Sequence, residues 1–192
     1  MGSAGLLELP TVFTHAQATA AGVSDRELYT WRDTGTVEVL ARGIFVRPDF
    51  TGDPDLTEIT TRAPQATLCL SSALAHHGLT DEIPSVIDVA LPRTQRPPRT
   101  VAPTSWHRFD ESTFDIGRGE LTIVDDIRIG IFNPERTIID VFRLRHLYGD
   151  DQAIQALRRY LRNAKQPSEL LAIARHFPAV EPALRRAMEI LL

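Results

Sequence analysis

The chain has 192 residues, of which 43% are hydrophobic and 24% charged, and its formal net charge at pH 7 is −4. These proportions are typical of a soluble globular protein, and no apolar run approaches the roughly 20 residues that a membrane span needs. The lone Cys69 excludes an internal disulfide. We therefore expect a cytoplasmic protein without membrane contact, with domains at residues 1–50 and 51–192.

The first pattern in chain order is a pair of short helices that meet at Gly22. Thr14 is placed to cap a helix of small residues that runs to Ala21, and Ser24 to cap a second helix that stops at Gly35. Gly22 can take the positive φ that a helix end requires. The spacing predicts a helix-turn-helix. Its expected buried residues are Ala18 at the crossing and Val23, Leu28 and Trp31 on the second helix.

A β-hairpin is predicted directly after the second helix. Apolar and polar residues alternate over residues 36–47, on either side of a turn at Ala41, Arg42 and Gly43. This order is typical of a winged helix-turn-helix, although many such units serve protein contacts instead of DNA binding. The candidate DNA contacts are Ser24, Asp25, Arg26, Tyr29, Thr30, Arg32, Arg42 and Arg47, the last two as phosphate contacts.

The charge of this N-terminal segment predicts weak DNA binding by a single copy. Residues 1–50 carry four arginines against six acidic residues, a formal balance of −2. Because affinity for DNA depends heavily on phosphate neutralisation, either a homodimer or basic residues elsewhere in the chain must supply the remaining contacts.

The rest of the chain alternates strands and helices after a turn-rich boundary at residues 48–54. Strands are predicted at residues 86–91, 104–109, 121–124 and 127–131, helices at 55–63 and 71–77, and a strand or helix start at 66–70. Further helices are predicted at residues 135–147, 150–163, 168–176 and 181–192, with caps at Asn133, Gly149 or Asp150, and Ser168. The fold class is therefore α+β: an N-terminal winged helix-turn-helix followed by a mixed α+β domain that ends in a helical bundle.

The sequence contains no complete catalytic or metal-binding pattern. His76 and His77 are adjacent and point in different directions on a helix, and no Gly-x-Ser-x-Gly run occurs. Asp88, on a predicted strand, is a candidate metal ligand of a nuclease, but no second acid and lysine stand next to it. We therefore predict no enzyme, no catalytic residue, no metal and no cofactor. A nuclease remains the distant alternative.

Four segments match one known family in their order and spacing. They read LARGIFVR at residues 40–47, SALAHHGL at 72–79, VALPR at 89–93 and NPERTIID at 133–140. With them, residues 10–165 resemble the AbiEi family of antitoxins from type IV toxin-antitoxin systems, in its actinobacterial branch of transcriptional regulators. The resemblance implies an N-terminal domain that represses its own operon by binding the promoter, and a C-terminal domain that neutralises a nucleotidyltransferase-fold toxin. Since the chain is shorter than the better-known antitoxins, the alternative is a stand-alone regulator without a toxin partner.

Two groups of arginines in the second domain are candidates for partner contacts. The first lies in a stretch without acids, residues 89–109, and suits auxiliary phosphate contacts, an acidic partner surface or a solvated loop. Its members are Arg93, Arg96, Arg99 and Arg108. The second group, Arg158, Arg159 and Arg162, lies beside a predicted buried stripe of Ile154, Leu157 and Leu161. It is the candidate toxin surface, and the alternative is an ordinary solvated helix face.

The helix that begins after Asn133 carries a further expectation. Glu135 suits the positive end of the helix dipole, and Arg136 can bridge inward to a carboxylate such as Asp140, four residues later. We interpret this pair as structural in preference to a direct toxin contact.

Overall fold

Two sheets organise the chain, one of three strands and one of five. The computed structural model describes residue 6 and residues 8–163 and 166–191, and within them the fold is mixed α+β. Lys165 and Leu192, the last residue of the predicted C-terminal helix, lie outside this part of the chain. None of the helices described is long and apolar enough to cross a bilayer.

The three-stranded sheet and two helices form the N-terminal unit. In chain order it contains β1 (Val12–Thr14), α1 (His15–Ala20), α2 (Asp25–Asp33), β2 (Glu38–Ala41) and β3 (Ile44–Val46). All pairings are antiparallel, in the order β1-β3-β2. Both predicted helices and the predicted hairpin are confirmed, whereas β1 was not expected from the sequence.

Local capping explains where the two N-terminal helices begin. The Thr14 hydroxyl accepts a hydrogen bond from the Gln17 backbone N–H at 3.2 Å, and the Thr14 N–H donates to the Gln17 side chain at 2.8 Å. Ser24 accepts from the Glu27 N–H at 3.3 Å. Gly22, between the helices, has φ +83°, so the expected corner is confirmed. The residues buried beneath it include Phe13, Ala18, Val23, Leu28, Trp31 and Phe45.

The five-stranded sheet carries the rest of the fold. Its strands are β4 (Thr67–Leu68), β5 (Ile87–Pro92), β6 (Thr104–Phe109), β7 (Arg118–Val124) and β8 (Ile127–Phe132), in the order β6-β5-β4-β8-β7. The helices are α3 (Pro54–Arg62), α4 (Leu70–His76), α5 (Glu111–Phe114), α6 (Pro134–Arg143), α7 (Arg145–Tyr148), α8 (Asp150–Arg162), α9 (Pro167–Ala174) and α10 (Glu181–Leu191). β5 pairs with β6, and β4 with β8, in parallel.

Helices cover the two faces of this sheet unequally. Val89 and Leu91 of β5 pack with Ile59 of α3, whereas Ala90, between them in sequence, packs with α4, α6 and the helices that follow. This alternation is that of a strand whose successive side chains point to opposite faces. Both faces of β5 are therefore buried, and the larger hydrophobic core lies on the side of the C-terminal helices.

The helices that accompany the five-stranded sheet differ from the predicted ones mainly at three places. The helix expected at residues 135–147 is divided at Leu144 into α6 and α7. The α9 helix begins at Pro167, and Gln166 takes the cap position without a side-chain hydrogen bond, so the predicted Ser168 cap is wrong. Proline explains this start, because its missing N–H and fixed φ suit the first helical position. The short helix α5 was not predicted.

A buried carboxylate, Glu58, fastens α3 to the loop before β6. Its Oε2 accepts hydrogen bonds from the backbone N–H groups of Val101 and Ala102 at 2.9 and 3.0 Å, and its Oε1 accepts from the Arg62 guanidinium at 2.8 Å. Burial alone would raise the pKa of the Glu58 carboxyl, but these three donors outweigh burial and lower the pKa. The loop is therefore held by a carboxylate that stays ionised at neutral pH.

We expect Glu58→Gln to lower the free energy of unfolding at pH 7 by about 1–3 kcal/mol, because one oxygen acceptor becomes a donor that faces two N–H groups. A carboxyl group whose pKa is lowered by folding stabilises the folded protein at pH values above its unfolded-state pKa. This stabilisation is lost as the pH falls through the folded-state pKa. The difference between wild type and variant, measured by urea unfolding, should therefore shrink below about pH 4. The control is Glu120→Gln, whose exposed pair with Arg128 contributes little. An equal loss at pH 7 and at low pH would contradict this role for Glu58.

Candidate nucleic-acid interface

The exposed face of α2 is the first element of the site. Arg26, Tyr29 and Thr30 are exposed and are spaced so that they share one face of the helix. The opposite face buries Leu28 and Trp31. Tyr29 keeps 52% of its surface exposed. α2 thus exposes one polar and aromatic face, while its other face packs into the core of the N-terminal unit.

The other predicted contacts on α2 already have partners. Ser24 acts as the helix cap, as described above. The Arg32 guanidinium donates to Asp33 at 2.7 and 2.9 Å and lies 4.9 Å from the Tyr29 ring centre. Asp25 bonds to the His15 ring at 2.9 Å. Within the part of the chain that the structure describes, Arg26 is the α2 arginine whose guanidinium makes no hydrogen bond or ion pair.

The turn of the hairpin lies at the same end of the unit as the start of α2. His15 connects the two, because its backbone N–H donates to the Gly43 carbonyl at 3.0 Å while its ring bonds to Asp25. Gly43 has φ +77°, and its neighbour Arg42 is exposed. Arg42 is therefore exposed at the end of the unit at which α2 begins, and its phosphate contact stays a prediction.

Arg47, the other phosphate contact expected from the sequence, donates hydrogen bonds within the protein. It is half-buried, and its Nη2 donates to the carbonyls of Leu6 and Leu9 at 2.9 and 2.7 Å. These bonds hold the guanidinium against the segment that precedes β1. A phosphate bound at this nitrogen would have to displace two good acceptors, which disfavours the predicted phosphate contact of Arg47.

The second basic element is the loop between β5 and β6. Arg96 and Arg99 are exposed on either side of Pro98, and Pro98 lines a hollow of 280 Å³ together with Arg42 and Arg62. Arg62 also donates to the Arg42 carbonyl at 3.1 Å, which fixes the hairpin turn against α3. The fold thus brings the segment that carries two of the four auxiliary arginines next to the N-terminal unit, whose net charge is negative.

The remaining auxiliary arginines, Arg93 and Arg108, lie at a separate place. Arg93 directly follows β5, and Arg108 lies near the end of β6, which pairs in parallel with β5. The Arg108 Nε donates to the Arg93 carbonyl at 3.0 Å. The four residues that the sequence groups into one basic run therefore belong to two different surfaces.

Asp88, the candidate metal ligand, is buried in a polar cluster. Its Oδ1 accepts from the Tyr148 hydroxyl at 3.1 Å and is 2.8 Å from the His107 Nε2, while its backbone N–H donates to the Ser72 hydroxyl at 2.9 Å. Burial and the neighbouring Asp88 carboxylate raise the pKa of Tyr148, so the phenol keeps its proton and can donate. The cluster connects β5, β6, α4 and α7.

The geometry of this cluster does not form a nucleophile relay. Ser105 is 3.3 Å from the same His107 nitrogen that bonds Asp88, whereas a relay needs the acid and the hydroxyl on different ring nitrogens. Among the described residues there is no group of three or more His, Cys, Asp or Glu side chains placed to hold a metal ion. Cys69 is fully buried, and burial raises the pKa of its thiol well above the ordinary value.

Comparison with known proteins identifies no function for this chain. No family model and no curated protein matches this chain. The AbiEi resemblance and the absence of catalysis therefore remain predictions from the sequence.

The arginines of α8 are divided by their partners. Arg159 forms a two-pronged pair with Asp81, one contact being 2.7 Å. Arg158 and Arg162 instead line a hollow of 270 Å³ with Leu161 and Leu191. The predicted stripe of this helix is wrong in part, because Ile154 is 37% exposed. The residues that α8 buries are Ala153, Ala156, Leu157 and Tyr160.

Proposed function

We propose that this chain is a DNA-binding transcriptional repressor of its own operon, and that its N-terminal unit acts as a winged helix-turn-helix. The observation that carries the proposal is the exposed α2 face with Arg26, Tyr29 and Thr30, on a helix that follows a tight glycine corner. The order of elements supports it, because a helix pair followed by a hairpin is the arrangement in which a second helix enters the major groove. The proposal assigns no catalytic step, metal or cofactor.

The groups on this surface divide into base contacts and phosphate contacts. Arg26 can reach base edges in the major groove, and Thr30 can do so once its hydroxyl leaves the Arg26 carbonyl, which it contacts at 2.8 Å. Arg42, Arg96 and Arg99 are exposed cations that suit phosphates. Arg96 and Arg99 offset the acidic balance of residues 1–50, in which Arg42 is already counted, and a homodimer on two half-sites would double every contact.

The base contacts are tested by Arg26→Ala combined with Thr30→Ala. Each good base contact is worth about 1–3 kcal/mol, so the double variant should lose about tenfold or more in affinity for a duplex with its own promoter sequence. Binding to random duplex should change much less. The measurement is fluorescence anisotropy with both duplexes, and the control is Arg128→Ala, an exposed arginine on β8. Unchanged promoter affinity in the double variant would remove α2 from the interface.

The phosphate contacts are tested by the salt dependence of binding. Arg42→Ala, Arg96→Ala and Arg99→Ala should weaken binding to promoter and random duplex alike. Each should also reduce the slope of log affinity against log salt by about 1 for every phosphate that the variant leaves without its arginine. If Arg96→Ala and Arg99→Ala leave the slope unchanged while Arg42→Ala reduces it, the second unit takes no part in DNA binding.

A second candidate function, neutralisation of a nucleotidyltransferase-fold toxin, is favoured by the hollow beside α8. Arg158 and Arg162 flank an apolar floor formed by Leu161 and Leu191, which suits an acidic partner surface with apolar side chains. Co-expression with a toxin encoded beside the gene tests it. Arg158→Glu with Arg162→Glu should abolish rescue and leave promoter binding intact. If this charge-reversed variant still rescues cells, or if no toxin is encoded beside the gene, toxin neutralisation is rejected and the stand-alone regulator is favoured.

A further inference from the structure

A cavity of 490 Å³ lies where the parallel strands β5 and β6 end. Arg93, Trp106, Arg108 and Phe109 line it from the two strands, and Arg143 lines it from the end of α6. In sheets with parallel strands, ligands commonly bind beyond the carboxyl ends of those strands. The position of the cavity is therefore one at which a ligand site is expected from topology, and none of its residues belongs to the DNA interface proposed above.

Two of its three guanidinium groups are already held in place. The Arg108 side chain donates from Nε and Nη2 to the Arg93 carbonyl. The Arg143 Nη2 lies 3.1 Å from Asp140, and its Cζ lies 4.5 Å from the Phe109 ring centre. Arg93 makes no side-chain hydrogen bond or ion pair within the described residues. Since ordered side chains lose less entropy when a ligand binds, the arrangement is suited to binding.

The cavity is positively charged although the chain as a whole is negative, with a net charge of −4. Asp110 is the acid that lines it, and its Oδ1 accepts from the Ser112 N–H and hydroxyl at 3.0 and 2.7 Å. Asp140 neutralises Arg143 in part, which leaves Arg93 and Arg108 as the cations able to meet an anion. Guanidinium groups match the geometry of phosphate oxygens particularly well.

Apolar and aromatic side chains also line the cavity. On β6, Trp106 and Arg108 are two residues apart and therefore share one face of the strand. Trp106 is half-buried and lines the cavity together with Leu144 and Leu147, and Leu147 keeps 65% of its surface exposed. Aromatic side chains beside cations are the combination on which nucleobases stack while their phosphates are neutralised. The volume also lies within the range of about 300–1,000 Å³ that small-molecule sites occupy.

We propose that this cavity is a nucleotide-binding site, with the phosphate on Arg93 and Arg108 and the base against Trp106. The same chemistry, a phosphate ester that carries an aromatic base, can come from a free mononucleotide or from a nucleotide of a single strand. The site is independent of the repressor proposal, because the two use different residues.

Binding of AMP to the full-length protein tests this site by calorimetry and by tryptophan fluorescence. The chain has two tryptophans, Trp31 and Trp106. AMP should quench the fluorescence of wild type and of Trp31→Phe, but not that of Trp106→Phe. Arg93→Ala combined with Arg108→Ala should weaken AMP binding at least tenfold, whereas the loop control Arg96→Ala with Arg99→Ala should bind as wild type does. Thermal unfolding of each variant establishes that it is folded, and Arg108→Lys serves as the milder substitution.

Three comparisons decide the outcome. Inorganic phosphate and adenosine alone should each bind at least tenfold more weakly than AMP. A short single-stranded oligonucleotide that binds more tightly than AMP, with the same loss in the double arginine variant, would support the site and identify a strand as the source of the nucleotide. The proposal is overturned if phosphate binds as tightly as AMP, if AMP does not bind, or if the double arginine variant binds AMP as wild type does.

Discussion

Replacement of Arg136 by methionine is expected to lower the free energy of unfolding by about 3–5 kcal/mol, the usual cost of removing one partner of a buried ion pair. Arg136 is fully buried, and its Nε donates to Asp140 at 2.9 Å. Its Nη1 donates to the carbonyls of Thr113 and Ile116 at 2.5 and 2.8 Å. Methionine would leave these three acceptors without this donor, in a place that water does not reach.

The surroundings of Arg136 explain why a long apolar side chain cannot compensate. Its Cζ lies 4.5 Å from the ring centres of both Phe132 and Phe177, so the cation also contacts two aromatic faces. One guanidinium thereby connects α6 to β8, to the segment after α5 and to the chain between α9 and α10. Methionine keeps much of the packing but makes none of these electrostatic interactions.

Urea unfolding at neutral pH measures this effect. The control is Arg145→Met. That arginine is half exposed, and its Nε lies 3.3 Å from the Oδ1 of the exposed Asp150. We therefore expect its replacement to change the free energy of unfolding by no more than about 0.5 kcal/mol. Burial raises the pKa of Asp140, and removal of Arg136 should raise it further. The double variant with Arg136→Met and Asp140→Asn should therefore lose less free energy of unfolding than the two single variants lose together. A loss below about 1 kcal/mol for Arg136→Met, or simple additivity, would contradict the buried-pair account.

The contacts that the sequence predicted are the local ones. Thr14, Ser24 and Asn133 cap helices as expected, since a cap and its N–H partner lie within three residues of each other. Arg136 and Asp140 are four apart and face each other on one helix, so their pairing also followed from spacing. Such geometry is fixed by the helix itself and requires no knowledge of the fold.

The buried face of α8 shows why spacing alone was insufficient further along the chain. Ile154, Leu157 and Leu161 fit a helical stripe, but Ile154 is exposed, and the helix buries Tyr160 together with Leu157. The Tyr160 hydroxyl donates to the buried Glu135 at 2.9 Å and to the Gln166 carbonyl at 3.1 Å. Because alanines at 153 and 156 fit either a buried or an exposed face, the hydrogen bond to a residue 25 positions away decides the orientation.

The candidate sites divide in the same way. The exposed positions of α2 followed from helical periodicity, and the structure places them on one face. The contact of Arg47 with Leu6 and Leu9, and the adjacency of Pro98 to Arg42, depend on segments more than 35 residues apart and left no pattern in the sequence. Arg93 and Arg108 were found as charges, but their proximity to each other results from the parallel pairing of β5 with β6, which strand patterns do not reveal.

Gly117→Ala is expected to destabilise the protein by about 2–5 kcal/mol, through backbone strain and overpacking together. Gly117 has φ +71°, and a Cβ at this position would lie 2.7 Å from the Arg136 Cβ and 2.8 Å from the Asn133 Oδ1. Neither neighbour can withdraw easily, because Asn133 caps α6 and its backbone N–H donates to the Gly117 carbonyl at 2.7 Å. Glycine is therefore required where the chain passes the start of α6.

Gly119 provides a control within the same Gly-Arg-Gly sequence. A Cβ on Gly119 would meet only the Ile131 carbonyl, at the ordinary contact distance of 3.8 Å, and the residue lies exposed on β7. We expect Gly119→Ala to change the free energy of unfolding by less than about 1 kcal/mol, since the substitution mainly restricts the unfolded chain. The two glycines are alike in local sequence, so the difference between the variants in urea unfolding reports the packing of Gly117 against Arg136 and Asn133. Equal losses in the two variants would show that the protein accommodates a Cβ at Gly117 without cost. This result would contradict the prediction that the packing at the start of α6 requires glycine.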